Sequence, residues 1–228
     1  MTGDPLVSVL MPVYNREQYL AAALDSLVTQ AYRPLEIVVV DDGSTDESAE
    51  IARRYAEVRY EHQSHQGIAA ARNRSLAAAG GTYLAFLDSD DLWEEGMLAR
   101  QMAVILERPD LDMLFGHVIE FISPELNQET ARRLACHPEP MPSRGLGAII
   151  KAEAFRRVGS FHTQWQMGEF IDWQFRASEL GLKSLLLPDV VARRRVHDSN
   201  QGVTRRDSRA DYLRILKSSL DRRRDDQR

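Results

Sequence analysis

The stretch Tyr83-Leu-Ala-Phe-Leu-Asp-Ser-Asp-Asp-Leu-Trp93 decides the fold of this 228-residue chain. Its first part, Tyr83 to Leu87, is an apolar run long enough for one buried strand, and the acidic run Asp88 to Asp91 follows it directly. Three carboxylates are therefore expected at the carboxyl end of a strand. Ligands of open α/β sheets bind at that edge, and clustered carboxylates there suit a divalent cation that also contacts phosphate. The stretch predicts a site for a metal ion and a diphosphate.

Two earlier stretches are also apolar runs typical of buried strands, and the second of them ends in acids. Residues 6–11 form an apolar, β-rich run, and residues 36–40 form another that leads directly into Asp41 and Asp42. Helical patterns follow both runs, and this alternation predicts a mostly parallel, doubly wound α/β sheet with helices on both faces. Because the carboxyl ends of parallel strands meet at one edge, we expect Tyr14 to lie there beside both acidic clusters.

Polar residues before the helical patterns predict where three helices begin. Asn15 is expected to cap the first helix. Ser44 and Glu47 have the spacing of a capping box for the second, and Asp91 with Glu94 has it for a later one.

The second half of the chain is less regular. Residues 111–122 predict a strand, residues 123–144 predict a partly helical surface excursion or loop, and the last strand is expected at residues 183–187. Near the C-terminus, an apolar stripe at helical spacing consists of Tyr212, Leu213, Leu216 and Leu220. We expect one domain over residues 1–203, with halves at 1–108 and 109–203, and a helical tail over residues 204–228.

Bulk composition excludes several classes of protein. With 43% hydrophobic and 28% charged residues, the chain is typical of soluble globular proteins, and no window approaches the roughly 18 apolar residues of a membrane-spanning helix. The N-terminus lacks the basic segment of a signal peptide, so a cytoplasmic location is expected. A net charge of -5 argues against a nucleic-acid partner. The single cysteine, Cys136, excludes an internal disulfide.

The C-terminal tail is basic, with nine Lys or Arg against five Asp from Val203 to Arg228. Two interpretations stay open. The tail helix docks through its apolar stripe on the domain, or on a second subunit of a homodimer, or else it attaches peripherally to an anionic membrane. Acids interrupt the basic residues, which favours docking on protein.

Four motifs carry a resemblance to a known family: VSVLMPVYN at residues 7–15, VVDDGSTD at 39–46, ARN at 71–73 and LDSDD at 87–91. In this order and spacing, the chain resembles the nucleotide-sugar-dependent glycosyltransferases of family 2, which have the Rossmann-like GT-A fold. The resemblance implies a metal-dependent, inverting transfer of a sugar from a nucleotide donor, expected to be a UDP-sugar, to a hydroxyl of a carbohydrate or other acceptor.

The resemblance also implies a uridine pocket in the first half. Asp41 would accept the imide N–H of uracil, Tyr14 would stack on the base, and Arg72 would reach a carbonyl oxygen of the base. The full nucleotide-binding set implied by the resemblance is Pro12, Tyr14, Asn15, Asp41, Asp42, Arg72, Asp88, Ser89 and Arg195.

The Asp-x-Asp pair, Asp88 and Asp90, would hold the ribose and coordinate Mn²⁺ or Mg²⁺ that bridges both phosphates. Arg195 and His197 resemble a late Arg-x-His feature of the family, which suits a contact with the diphosphate or the metal. The implied metal ligands are Asp88, Asp90 and His197.

At the catalytic base the sequence departs from the family. Members carry Glu-Asp at the start of a helix, with Arg six residues after the Asp, and that Asp is the base. Here the register set by Arg176 gives Glu169 followed by Phe170, so phenylalanine occupies the base position. Asp172 and Glu169 remain as candidates. Asp172 is favoured, because Trp173 beside it would desolvate the carboxylate.

Three other interpretations stay open. Phe170 is compatible with a protein that holds a nucleotide sugar without turnover. Asp41 and Asp42 could instead cap the next helix, and the acids at 169 and 172 could simply favour a helix N-terminus. A nucleotidyltransferase is disfavoured, because residues 12–15 are not the glycine-rich basic loop that such an enzyme carries after its first strand.

Overall fold

The computed structural model describes residues 3–134, 136–200 and 210–225. The strands of this part are β1 (Val7–Val13), β2 (Leu35–Asp41), β3 (Val58–His62), β4 (Tyr83–Phe86), β5 (Leu92–Trp93), β6 (Met113–Ile122), β7 (Met141–Ser143), β8 (Ile149–Lys151) and β9 (Ser184–Val196). The helices are α1 (Leu20–Val28), α2 (Ser48–Arg53), α3 (Ile68–Ala78), α4 (Met97–Glu107), α5 (Gln128–Leu134), α6 (Ala152–Val158), α7 (Glu169–Glu179) and α8 (Ala210–Asp225).

One sheet runs through the molecule in the order β3-β2-β1-β4-β8-β6-β9-β5, and β7 pairs with β6 beside this path. The strands β1 to β4 are mutually parallel, and β6 is parallel to β9. Strand β8 joins the two groups by antiparallel pairing with β4 and β6. The predicted α/β class with a mostly parallel sheet is confirmed. The carboxyl ends of β1, β2 and β4 consequently meet at one edge of the sheet.

The core explains why the central strands are apolar throughout. All seven residues of β1 are buried, because helices cover both faces of the sheet. Val9 and Met11 join an apolar cluster that includes residues of α1 and α4. Leu10 joins the cluster on the opposite face, which includes Trp173 of α7. Each such side chain stabilises the fold by roughly 1.5–3 kcal/mol.

The predicted helix starts are wrong by three to five residues, because the capping residues make tertiary contacts. Helix α1 begins at Leu20, and Asn15 adopts φ +50°. The Asn15 side chain accepts the N–H of Thr45 at 2.8 Å, and its own N–H donates to Ser44 Oγ at 2.9 Å. Both predicted caps therefore tie the loop after β1 to the loop after β2. In the same way, Asp91 bonds to the backbone of β9, and α4 begins only at Met97.

The second half contains more strand than the sequence predicted. The predicted excursion holds α5 and β7, and β6 lies within two residues of its predicted start. Strand β9 extends over 13 residues, far beyond the predicted 183–187. The second part of β9, from Pro188 to Arg195, lacks a recognisable strand pattern, because proline and three arginines interrupt the apolar alternation. Pairing with β6 and β5 still incorporates it in the sheet.

Helix α8 packs on α7, although not through the predicted stripe. Its buried residues are Asp211, Ile215 and Ser219, whereas Leu213, Leu216 and Leu220 are exposed. Asp211 and Ser219 form hydrogen bonds with residues just before and on α7, and the apolar Ile215 is buried between them. The predicted boundary between domain and tail, at residues 203 and 204, lies outside the described residues. Among the helices described, none has the length and apolar character needed to cross a bilayer.

Candidate functional site

A cavity of about 550 Å³ opens at the edge where β1, β2 and β4 end. Residues that follow these strands form one side of it. The first residues of α3 and α7, together with Tyr212 of α8, form the other side. The predicted ligand edge of the sheet is thus a real concavity, and both halves of the chain contribute to it.

Tyr14 and His65 form an aromatic pair at one end of the cavity. Their ring centroids are 4.1 Å apart, with 26° between the ring planes. Tyr14 is 40% exposed, and both residues line the cavity. His65 was not among the predicted site residues. No local signal points to it, because only the packing of the loop before α3 against the loop after β1 brings the two rings together.

The two acids after β2 have different environments. Asp41 is 1% exposed and does not line the cavity, and its carboxylate accepts hydrogen bonds from Tyr60 Oη at 2.7 Å and from the N–H of Ser44 at 2.8 Å. Burial, and then the hydrogen bond to Asp41, raises the pKa of Tyr60 to about 12, so this phenol remains a donor. In this structure, the residue expected to bind uracil therefore lies behind the cavity wall.

Asp42 does line the cavity, and it organises the loop before α3. Its carboxylate accepts the backbone N–H groups of Gln66 and Gly67, both at 2.8 Å, and the side-chain amide of Gln63 at 2.7 Å. His65 Nδ1 lies 2.9 Å from the same carboxylate. The acid thus fixes the start of α3 and the position of the His65 ring. It does not cap α2, the helix that follows it in sequence.

Asp90 lies between two cationic or potentially cationic side chains. Its Oδ2 is 3.2 Å from Arg16 Nε and 3.1 Å from Nε2 of the fully buried His197. Burial alone would raise the pKa of Asp90, but the hydrogen bond with His197 and the charge of Arg16 outweigh it and hold the pKa below its ordinary value. Asp90 is therefore a carboxylate, and it lies beside His197, another residue expected to bind the metal.

Arg195 does not line the cavity, contrary to what a nucleotide-binding role requires. Its Nε donates to the carbonyl oxygen of Asp90, and its backbone N–H donates to Asp91. Burial, followed by the charges of Asp90 and Asp88, raises the pKa of Asp91 well above its ordinary value. Arg195 fixes the acidic loop to β9, and the neighbouring Arg194 lines the cavity instead.

Arg72 bridges the two halves of the site. Its guanidinium donates to Asp88 Oδ1 at 2.5 Å and makes a close hydrogen bond to Glu169. The side chain is nearly buried, and in the part of the chain described its Nε has no partner. Arg72 was expected to reach the nucleobase. Here its donors bind one acid of the Asp-x-Asp pair and one candidate base, and the remaining Nε–H is buried.

The two candidate bases differ sharply in placement. Glu169, the first residue of α7, lines the cavity beside Phe170. Asp172 is fully buried and does not line the cavity. Its Oδ2 lies 3.1 Å from Arg176 Nε and 3.0 Å from His162 Nδ1. The preference for Asp172 as the base does not fit this geometry, because the helix turns that carboxylate into the protein interior.

Phe170 occupies the place where the family pattern puts an acid. Its ring lines the cavity and packs edge-on against Phe86, with 4.9 Å between ring centroids. Arg72 lies 5.6 Å from the centre of the same ring. The substitution thus places an apolar surface beside Glu169 and Arg72.

The remaining predicted residues have mixed placements. Pro12, Ser89, Asp88 and Asp90 line the cavity, whereas Asn15 lies outside its lining and joins two loops.

The side-chain donors fit a divalent cation whose remaining coordination positions are filled by a substrate. Asp88 and Asp90 supply carboxylate oxygens at the cavity, and the buried His197, which does not line the cavity, has its Nε2 3.1 Å from Asp90 Oδ2. Mg²⁺ and Mn²⁺ bound with phosphates typically take one or two protein carboxylates, with phosphate and water oxygens filling the other positions. Over the residues described, no group of three or more His, Cys, Asp or Glu side chains is placed to hold a metal ion by itself. This arrangement suits a cation bound together with a diphosphate.

Sequence comparison places this chain among glycosyltransferases. The model of glycosyl transferase family 2 matches residues 8–165. The glycosyltransferase GlyA of Streptococcus pneumoniae serotype 4 is 41% identical over 125 residues, which are 53% of this chain and 18% of GlyA. The Escherichia coli K12 glycosyltransferase YibD is 43% identical over 117 residues, 50% of this chain and 34% of YibD. The chain therefore spans about a third or less of the length of these curated relatives.

Solved structures share the fold. Staphylococcus aureus TarS 1–349 in complex with UDP has a TM-score of 0.73 at 21% identity, over 94% of this chain and 65% of that one. The mannosyltransferase PcManGT from Pyrobaculum calidifontis, in complex with GDP-Man and Mn²⁺, has a TM-score of 0.73 at 23% identity, over 96% and 65%. At these identities the likeness concerns the fold, and it confirms the predicted GT-A architecture.

Proposed function

This chain belongs to glycosyl transferase family 2, and from that premise we propose that it transfers a sugar from a nucleotide diphosphate donor to an acceptor hydroxyl, with inversion at the anomeric carbon. One observation supports the proposal: a single cavity is lined by an aromatic pair, the carboxylates of Asp88 and Asp90, and one further acid, Glu169. The aromatic pair can bind a nucleobase, the carboxylates can hold a cation with a diphosphate, and Glu169 can accept a proton.

The nucleotide end of the proposed site is the Tyr14 and His65 pair. An exposed aromatic ring that is held by a second ring offers a rigid surface on which a nucleobase can stack. We propose UDP as the nucleotide. TarS was solved with UDP and with UDP-GlcNAc, and PcManGT with GDP-Man, so GDP is the competing nucleotide for any assay.

The diphosphate would lie over the Asp-x-Asp acids. Asp88 and Asp90, together with His197, would hold Mn²⁺ or Mg²⁺, and Arg16 and Arg194 line the same cavity as further positive charges. When bound, the cation neutralises the negative charge that develops on the leaving diphosphate. The two arginines would bind phosphate oxygens and hold the leaving group in place.

Glu169 is the proposed catalytic base. It is the candidate acid that reaches the cavity, and its place at the N-terminus of α7 favours a negatively charged carboxylate. As the acceptor oxygen attacks the anomeric carbon from the face opposite the diphosphate, Glu169 would take the proton of the acceptor hydroxyl. Arg72 must release Glu169, at least in part, before that transfer.

The second candidate function is binding of a nucleotide sugar without turnover. Two observations favour it: Phe170 stands where the family has its acid, and Glu169 is paired with Arg72. Thermal unfolding with UDP or GDP, with and without Mn²⁺, tests the shared binding step, since a ligand of the native state raises the melting temperature with concentration. Release of UDP from UDP-glucose, UDP-galactose and UDP-N-acetylglucosamine then separates the two functions.

Stabilisation with UDP release supports the transferase, and stabilisation without release from any donor supports the binding protein. Absence of stabilisation by either nucleotide contradicts both.

A further inference from the structure

Helix α8 lies outside the residues matched by the family model, yet it contributes to the cavity. Its residue Tyr212 lines the cavity and is 39% exposed. The ring packs over Gly168, the residue that precedes Glu169. A Cβ atom on Gly168 would lie 2.9 Å from Tyr212 Cε1, and Gly168 has φ +82°, a conformation that other residues rarely adopt. Both features suit a glycine that leaves room for the tyrosine ring.

Contacts along the inner face of α8 hold the Tyr212 ring in this position. At one end, the buried Asp211 accepts the backbone N–H of Gln166 at 3.0 Å. Near the other end, Ser219 Oγ and Arg222 Nε each donate to Glu179 at 2.7 Å. Ile215 is fully buried between these anchors. Tyr212 is therefore on a helix that is fixed at one end to the segment just before α7 and near the other end to α7, the helix that carries Glu169.

The position of Tyr212 assigns it to the acceptor side of the site. The aromatic pair of Tyr14 and His65 serves the proposed nucleotide end, and Asp88 and Asp90 serve the diphosphate. Tyr212 packs against the residue next to Glu169, and the acceptor hydroxyl must meet Glu169 to lose its proton. The neighbouring Ile171 of α7 is also exposed at the cavity. Whatever molecule presents its hydroxyl to Glu169 therefore has Tyr212 beside it.

We propose that Tyr212 is an acceptor-binding residue that stacks on a pyranose ring, so that α8 supplies acceptor recognition for the transferase. The inference rests on the proposed function and deepens it, because it assigns a carbohydrate acceptor. The face of an aromatic ring is weakly negative and attracts the C–H groups on the flat face of a pyranose, while the phenol can bond to a hydroxyl. An exposed tyrosine fixed beside a catalytic acid has this combination of properties.

Saturation-transfer NMR tests the assignment on the full chain with UDP and Mn²⁺ present. The probes are the methyl β-glycosides of glucose, galactose and N-acetylglucosamine. We expect ring-proton signals from at least one probe with the unmodified protein and with Tyr212→Phe, which keeps the ring. Tyr212→Ala should reduce these signals by roughly threefold or more, since it removes the stacking surface. Leu213→Ala is the matched control, because Leu213 is the adjacent, 73% exposed residue and does not line the cavity.

UDP affinity, measured by calorimetry on the same samples, distinguishes failure of the acceptor role from failure of the proposed function. Unchanged UDP affinity with the glycoside signal lost only in Tyr212→Ala supports the assignment. Unchanged UDP affinity with equal signals in Tyr212→Ala, or with no glycoside signal from the unmodified protein, overturns the acceptor role alone. Failure of the unmodified protein to bind either UDP or GDP overturns the proposed function, and the acceptor role with it.

Discussion

At the scale of single residues, the two candidate bases give the most direct prediction. Glu169→Gln should lower the rate of UDP-sugar turnover by roughly 10²–10⁴, the usual contribution of a general base, with UDP affinity unchanged. Asp172→Asn should leave turnover within a few fold, because Asp172 is buried away from the cavity. It should instead destabilise the fold by about 1–3 kcal/mol, since Arg176 and His162 lose a charged partner. Turnover rates and urea unfolding of both variants measure this. Loss of turnover in Asp172→Asn alone would return the role of base to Asp172.

The cation is the second prediction that belongs to individual residues. With Mn²⁺, the unmodified chain should bind UDP at least about tenfold more tightly than with EDTA, a difference of about 1.4 kcal/mol. Asp90→Asn should bind with the weaker affinity under both conditions, because Asp90 and His197 meet at the proposed cation position. Asp110→Asn, which removes a surface acid outside the cavity, is the control. Calorimetry with UDP provides the measurement, and a Mn²⁺ effect of full size in Asp90→Asn would contradict the site.

The site residues differ in how well they could be predicted from the sequence. Asp88 and Asp90 were found because one continuous stretch contains both the strand and the acids that end it. His65 and Tyr212 were not found as cavity residues, because each depends on packing between segments far apart in sequence. Arg72 was identified as a site residue, but the carboxylates that compete for it come from different elements, and no local pattern encodes that competition.

At the scale of elements, β9 and α8 show why some of the fold escaped prediction. Apolar periodicity identified the buried strands of the first half, whose side chains face helices on both sides. Strand β9 carries charged residues into the sheet, where pairing with β6 satisfies its backbone. Helix α8 was recognised from its apolar stripe, but its buried face combines Ile215 with polar residues, because Glu179 and the backbone of Gln166 offer hydrogen bonds that leucine cannot make.

The anchor of α8 predicts a pH effect. Burial alone would raise the pKa of Glu179, but the hydrogen bonds from Arg222 and Ser219 outweigh it and lower the pKa below the ordinary 4.5. The pKa of Glu179 is lower in the folded state than in the unfolded state. The ionised Glu179 therefore contributes fully to the docking of α8 on α7 above about pH 4.5, and this contribution is lost as the pH falls through the folded-state pKa. The protection of the α8 amides, measured relative to the intrinsic exchange rate at each pH, should therefore fall on acidification below this pH. Glu179→Gln should show faster exchange already at pH 7, and a much smaller change on acidification.

Lys217→Gln, at an exposed position of the same helix, controls for a general effect of charge removal. If Glu179→Gln and Lys217→Gln exchange alike at pH 7, the ion pair with Arg222 does not hold the helix.

At the scale of the whole molecule, Arg72 connects the half that would bind the nucleotide to the half that would bind the acceptor. It belongs to α3, and its partners lie after β4 and at the start of α7. Its pair with Glu169 is buried, and removing one member of a buried pair typically costs about 3–5 kcal/mol, because the other charge stays behind without a partner. The bridge should therefore contribute to the stability of the complete fold as well as to the site.

Arg72→Lys isolates this contribution, because lysine keeps the charge but has no planar fork with which to reach two carboxylates at once. We expect the free energy of unfolding to fall by about 1–3 kcal/mol in a single cooperative transition, as for a lost hydrogen bond to a charged group. Arg74→Lys is the matched control two residues away. Its pair with Glu61 is exposed, so the change should be close to zero. Urea unfolding, followed by tryptophan fluorescence, measures both variants. Equal stability of the two variants would mean that Glu169 is held by the fold without Arg72, and release of Arg72 would then not be a requirement for proton transfer.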